Sequence, residues 1–241
     1  MSEKTEKFIG GAKRFLRRAA DVVYPARCPV CNRIIKLGEY ICAKCDSEFE
    51  YKNSKSRIGE YPLYYVCEYD DKAKRIVLAA KNDWDGDKLD FMAKSIYDIL
   101  REYNVIDDFD GVVPIPMYYK NKRERGYNQT EMIARKLSEL SSIKIVQAIR
   151  KDEQTAQQKQ LSRTERQENL RTAFSVDNDI ALYGKRLLVL DDVCTTGATL
   201  KAAGSLLISA GCESVSFVCF ARAVFKPSEN LIPEPNTCDE H

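Results

Sequence analysis

The sequence predicts an α/β domain built on a mostly parallel sheet with helices on both faces, preceded by a small four-cysteine module. Three observations carry this. Short runs rich in Val, Ile, Leu and Tyr alternate with segments whose apolar residues recur at helical spacing. Two Cys-x-x-Cys pairs, Cys28/Cys31 and Cys42/Cys45, lie close together ahead of the first such run. No apolar run approaches the roughly 18–20 residues that a membrane helix needs.

Residues 1–24 interleave Phe8, Ile9, Phe15, Leu16, Val22 and Val23 with Lys7, Lys13, Arg14, Arg17 and Arg18, the pattern of a basic amphipathic helix. Residues 25–50 hold the cysteine pairs, and 51–60 read as a polar linker. The α/β domain is expected over 60–226. Within it, 63–69 is a Tyr- and Val-rich strand. Ala73, Ile76, Val77 and Ala80 share one helical face, and Leu89, Met92, Ala93, Ile96, Ile99 and Leu100 another. A short strand at 111–115 runs into Pro114 and Pro116, and a basic loop at 120–126 leads to a helix at 128–140. A strand is expected at 143–146, a polar segment at 150–171 and a strand at 186–190. A helix at 198–210, a strand at 214–221 and a loose, proline-bearing tail at 227–241 complete the chain.

Composition excludes several classes. With 44% hydrophobic and 31% charged residues, both a packed core and a soluble surface are expected. The formal charge of +2 is too small to argue for nucleic-acid binding by itself. The N-terminus lacks the continuous apolar stretch of a secretory signal, which together with the cysteine usage points to a cytoplasmic protein. The sole histidine is His241, so a Ser/His/Asp triad is excluded. There is neither a G-x-x-x-x-G-K-[ST] phosphate loop nor a G-x-G-x-x-G fingerprint.

Two Cys-x-x-Cys knuckles supply the tetrahedral sulfur set that zinc prefers, and so short a segment buries too little apolar surface to fold without a metal. A thioredoxin-type redox pair would sit inside a βαβ unit, which is absent here. Cys28, Cys31, Cys42 and Cys45 are therefore expected to hold a structural zinc with no open position for water. Cys67, Cys194, Cys212, Cys219 and Cys238 read as reduced thiols.

The segment Arg186-Leu-Leu-Val-Leu-Asp-Asp-Val-Cys-Thr-Thr-Gly-Ala-Thr199 joins a buried strand to two acids, a small hydroxyl-rich loop and a helix start. In a parallel sheet this strand-end crevice is where ligands bind. Backbone N–H groups at a helix N-terminus favour a phosphate, and Thr195, Thr196 and Thr199 add hydroxyl donors. Gly197 is expected to let the backbone approach the phosphate without a Cβ. Asp191 and Asp192 suit sugar hydroxyls, which donate hydrogen bonds. An ordinary N-capped helix explains one threonine but not this whole set.

This segment resembles the phosphoribosyl diphosphate (PRPP) fingerprint of type I phosphoribosyltransferases. The resemblance implies that fold, places Asp191 and Asp192 on the ribose hydroxyls as the catalytic pair, and places Val193, Cys194, Thr195, Thr196, Gly197, Ala198 and Thr199 around the 5′-phosphate. More of the chain, roughly residues 20–223, resembles the ComF competence proteins. The matching elements are the four cysteines, the Lys81 region, Pro114-Ile-Pro116, Arg123-Glu-Arg-Gly-Tyr-Asn-Gln129, Thr155-x-x-Gln158-x-x-Leu161, Arg166-x-x-Asn169 and the fingerprint. Met117-Tyr118-Tyr119 stands where the family commonly has a Leu-His-Pro type run, so no role of that His carries over.

Diphosphate needs cations opposite the phosphate pocket. Lys120, Lys122, Arg123 and Arg125 follow the 111–115 strand, with Lys81 a further candidate, and Arg150, Arg163 and Arg166 lie in a polar segment suited to a closing loop. The chemistry implied is displacement of pyrophosphate at ribose C1 with Mg²⁺ on the leaving group. Two readings stay open. One is a PRPP-dependent transferase of unidentified acceptor, linked to DNA uptake in natural transformation. The other is a non-catalytic PRPP-responsive adaptor whose partners are single-stranded DNA or proteins of the competence machinery.

Overall fold

The computed structural model describes residues 25–36, 38–81, 87–117, 127–151, 174–177 and 180–224. The amphipathic helix expected over 1–24, the basic loop with Arg123 and Arg125, the bulk of the polar segment and the tail from 227 lie outside the described residues.

The cysteine module ends in a short helix, α1 (Ala43–Ser47). A hairpin follows, β1 (Ser54–Ile58) and β2 (Tyr61–Glu68), paired antiparallel from Ser54↔Tyr65 to Ile58↔Tyr61. Next come α2 (Asp71–Ala80) and α3 (Asp87–Glu102), then β3 (Gly111–Pro114) and α4 (Gln129–Ser141). Two three-residue strands, β4 (Ile149–Lys151) and β5 (Phe174–Val176), pair with each other and so bracket the polar segment. β6 (Arg186–Cys194), α5 (Ala198–Ser209) and β7 (Ser214–Arg222) complete the described chain.

The main sheet has the order β1-β2-β7-β6-β3 and is parallel except for β1. Its inner strands are apolar on both faces because helices cover both. Along β6 the alternation is clear: Leu188 and Leu190 belong to one core layer, Leu187 and Val189 to the other. The first layer takes in α2, α3 and α4; the second takes in α5 and the β4–β5 ribbon.

Three expectations are corrected. The polar linker contains the edge strand β1, in which Lys55 and Arg57 are exposed while Ser56 and Ile58 are shielded. Charged edge strands discourage sheet-to-sheet pairing and carry little hydrophobic signal. Gly59, at φ 61°, makes the turn into β2. The strand expected at 143–146 is reduced to one parallel bridge, Val112↔Ile145, just after Ser142 ends α4 in the left-handed conformation. The strand expected at 186–190 runs on to Cys194, so the two acids sit within it and not beyond it.

The cysteine module shares the first core layer, to which it contributes Val30, Ile35, Ile41 and Phe49. The Phe49 ring lies 6.2 Å from Phe220 in β7 and 6.4 Å from Phe91 in α3, centre to centre. Such pairs contribute about 0.5–1.5 kcal/mol each beyond their area. From α2, Arg75 donates to the carbonyl of Val30 at 2.7 Å and Lys72 to that of Glu48 at 2.8 Å.

Candidate functional site

Cys28, Cys31, Cys42 and Cys45 bring their four Sγ atoms within 4.8 Å of one another, with Cys31 and Cys42 3.6 Å apart. Tetrahedral zinc with Zn–S near 2.3 Å requires sulfurs about 3.8 Å apart, so the set fits. Cys42 caps α1, and its sulfur accepts the N–H of Cys45 at 3.5 Å. Burial pushes the Cys28 thiol up, but backbone N–H groups around it prevail and bring it down to about 7. Burial and the surrounding sulfurs push Cys45 up. A divalent cation is what lets all four serve together as thiolates. The residues would hold zinc as a closed structural centre.

The second site lies at the carboxyl end of β6. Asp191 and Asp192 are neighbours in an extended strand, so their side chains leave on opposite faces. Each carboxylate also accepts the next backbone N–H, Asp192 N to Asp191 at 2.9 Å and Val193 N to Asp192 at 2.8 Å. Asp192 turns toward the end of α2, where Lys81 Nζ lies 3.7 Å from it. Asp191 turns toward the second layer, beside its ladder partner Cys219 in β7. Burial holds the Asp191 carboxyl well above its ordinary range, and the adjacent Asp192 charge adds to this. Asp191 retains partial surface exposure, so the group borders solvent even though its carboxyl is desolvated.

The loop from Thr195 to Gly197 opens α5. Thr195 and Thr196 are exposed, and Ala198 N donates to Thr196 Oγ1 at 3.3 Å. No acceptor among the described residues takes the N–H of Thr195, Thr196, Gly197 or Thr199. These donors lie at the amino end of a twelve-residue helix, where the helix dipole adds positive potential. Cys194 beneath them is buried between β6 and β7, and Val193 packs against the first layer.

Gly197 is needed for a reason the sequence did not suggest. Its φ is 76°, and a Cβ there would lie 2.8 Å from Cδ1 of Ile58. The glycine admits the β1 side chain.

Of the basic candidates, Lys81 joins the acid pair. Arg150 is ion-paired with Asp177 instead. The tail of the Arg-Glu-Arg-Gly-Tyr-Asn-Gln run is a structural support. Asn128 Nδ2 and Thr130 Oγ1 donate to the carbonyl of Ile115 at 3.2 and 2.6 Å, and Tyr127 Oη donates to that of Ala80 at 3.1 Å. Ile115 N still donates to the carbonyl of Leu190 at 2.9 Å, but Pro116 has no N–H to carry the ladder further, and the Ile115 carbonyl takes these donors. Tyr127 in turn ties this motif to the residue before Lys81.

Comparisons with known proteins match domains over both regions of the chain. Residues 124–233 match the family model of the phosphoribosyl transferase domain, and 19–56 that of the double zinc ribbon domain. Competence protein F of Haemophilus influenzae is 27% identical over 210 residues, 81% of this chain and 90% of that protein. DNA utilization protein YhgH of Escherichia coli K12 is 30% identical over 116 residues, 48% of this chain and 50% of that protein. A purine phosphoribosyltransferase structure from Pyrococcus horikoshii covers 58% of this chain and 78% of its own at 18% identity, with a TM-score of 0.37. No described helix is long and apolar enough to cross a membrane. With a phosphoribosyl transferase domain set behind a double zinc ribbon, and similarity to Competence protein F along 81% of its length, the chain is similar to the ComF competence proteins.

Proposed function

We propose that the chain binds PRPP together with Mg²⁺ at the β6–α5 junction and transfers its phosphoribosyl group to an acceptor, in the service of DNA uptake. The observation that carries this is the meeting, within Asp191–Thr199, of two carboxylates and a set of amides for which no described residue is an acceptor. Sugar hydroxyls donate and phosphate oxygens accept, so one sugar phosphate answers both halves. Lys81 and, from the loop beyond β3, Arg123 and Arg125 would face the diphosphate, with Mg²⁺ neutralising the leaving group. The acids sit on opposite faces of their strand, so the ligand is expected across its end, spanning both. The link to DNA uptake rests on what the relatives are named for.

Calorimetry with PRPP and Mg²⁺ tests the site. Binding by the native chain and its loss in Asp191→Asn/Asp192→Asn is the expected result, and no heat with the native chain refutes the reading. Pyrophosphate release measured across bases and amines then separates a transferase from a PRPP-responsive adaptor.

A further inference from the structure

A second opening lies at the amino end of β6, away from the acids near its carboxyl end. It is a cavity of about 460 Å³ where the starts of β3 and β6 meet the segment after α4 and the turn before β6. That volume falls within the roughly 300–1,000 Å³ of small-molecule sites.

Backbone pairing fixes its walls. β3 is an edge strand of the sheet and begins at Gly111. A Cβ there would lie 2.5 Å from Cγ2 of Val146 and 3.1 Å from the Lys144 carbonyl, so the glycine lets this segment close against the strand. Val112 N donates to the Lys144 carbonyl at 2.8 Å, and Val146 N to that of Val112 at 2.9 Å. In the opposite wall, Lys185 N donates to the Leu182 carbonyl at 3.1 Å, and Glu213 N to that of Lys185 at 2.9 Å.

The lining has two chemistries. Ile143, Leu182 and Leu187, all buried, make an apolar floor beside the half-buried Phe109. Lys144 and Lys185 line it as exposed residues, and neither is ion-paired among the described residues. The acid in the lining, Asp110, is already engaged: it accepts Arg186 N at 2.8 Å and has Arg186 Nε at 3.7 Å. Two ammonium groups thus border an apolar floor with no carboxylate of the described residues paired to them.

We propose that this cavity is a second ligand site, for a small organic anion whose apolar ring rests on the floor and whose carboxylate or phosphate head lies between Lys144 and Lys185. Burial of the ring supplies affinity, and the two positive charges select the sign of the head. The site does not depend on the reading of the β6–α5 junction.

Calorimetry on the full chain uses 1-naphthyl phosphate and 1-naphthoate, two heads on one ring, with 1-naphthylmethanol as the neutral match. Saturable binding of an anion is expected, tighter than that of the alcohol and weakened by added salt. The tighter of the two anions tells a phosphate monoester from a carboxylate. Lys144→Gln/Lys185→Gln should cost the anion about tenfold in affinity, as two partly exposed charge pairs imply, and leave the alcohol unchanged. Ala181→Trp, at an exposed position of the lining, should block both by filling the mouth. Absence of saturable anion binding, an affinity unmoved by the lysine variant, or binding that Ala181→Trp leaves intact overturns the proposal.

Discussion

Replacing Gly197 by alanine tests how the β1–β2 hairpin shapes the Thr195–Gly197 loop. Two costs add. The residue sits at φ 76°, and a left-handed conformation costs a residue with a Cβ about 1–2 kcal/mol. The new Cβ also meets Ile58 at 2.8, 3.0 and 3.1 Å from three of its carbons. Overpacking of that kind costs about 1–3 kcal/mol. The sum, about 2–5 kcal/mol, lowers Tm by roughly 4–20 °C for a domain of this size. Trimming Ile58 to alanine removes the steric part alone. Ile58→Ala is itself destabilising, but the double variant should be more stable than the two single effects predict. The coupling expected in a double-mutant cycle is about 1–3 kcal/mol, with the backbone cost left over. Urea unfolding of the four proteins gives the cycle directly. Additivity within about 0.5 kcal/mol would mean that Ile58 does not press on the loop, and the packing argument would fall.

Other outcomes can be stated briefly. Metal analysis should find about one zinc per chain, and Cys45→Ser should lose it. Because Phe49 and Ile41 share the first core layer with α3 and β7, that variant should unfold the whole chain at lower temperature in one transition. A separate early transition for the cysteine module would show that the two parts are energetically independent. Asp191→Asn should raise Tm of the unliganded chain at pH 7. A carboxyl whose folded pKa lies above its unfolded one binds extra protons in the native state, so stability falls as pH rises from the ordinary carboxylate range through the raised value. The native chain should therefore lose stability across that window and the asparagine variant lose less, read as Tm against pH. Lys81→Met should weaken Mg²⁺–PRPP binding while leaving the fold intact, since Lys81 lies at a helix end with its side chain partly exposed; unchanged affinity would remove it from the site.

The sequence by itself determined the elements whose signal is local. Apolar spacing marks α2, α3, α4 and α5, and the apolar run ending in Asp191 and Asp192 marks β6. The cysteine spacing announces a tetrahedral sulfur set because ligand geometry constrains sequence separation. Other features needed the third dimension. β1 is mostly polar and β4 and β5 have three residues each, so pairing and not a hydrophobic pattern defines them. Lys81 is far from Asp192 along the chain, and only the packing of α2 against one face of the sheet brings it there. The requirement for Gly197 lies in Ile58, contributed by a strand that reads as a linker. Motifs thus disclose the chemistry that one segment carries. Tertiary packing decides which distant charges and side chains press on it, because burial and charge act through space and not along the chain.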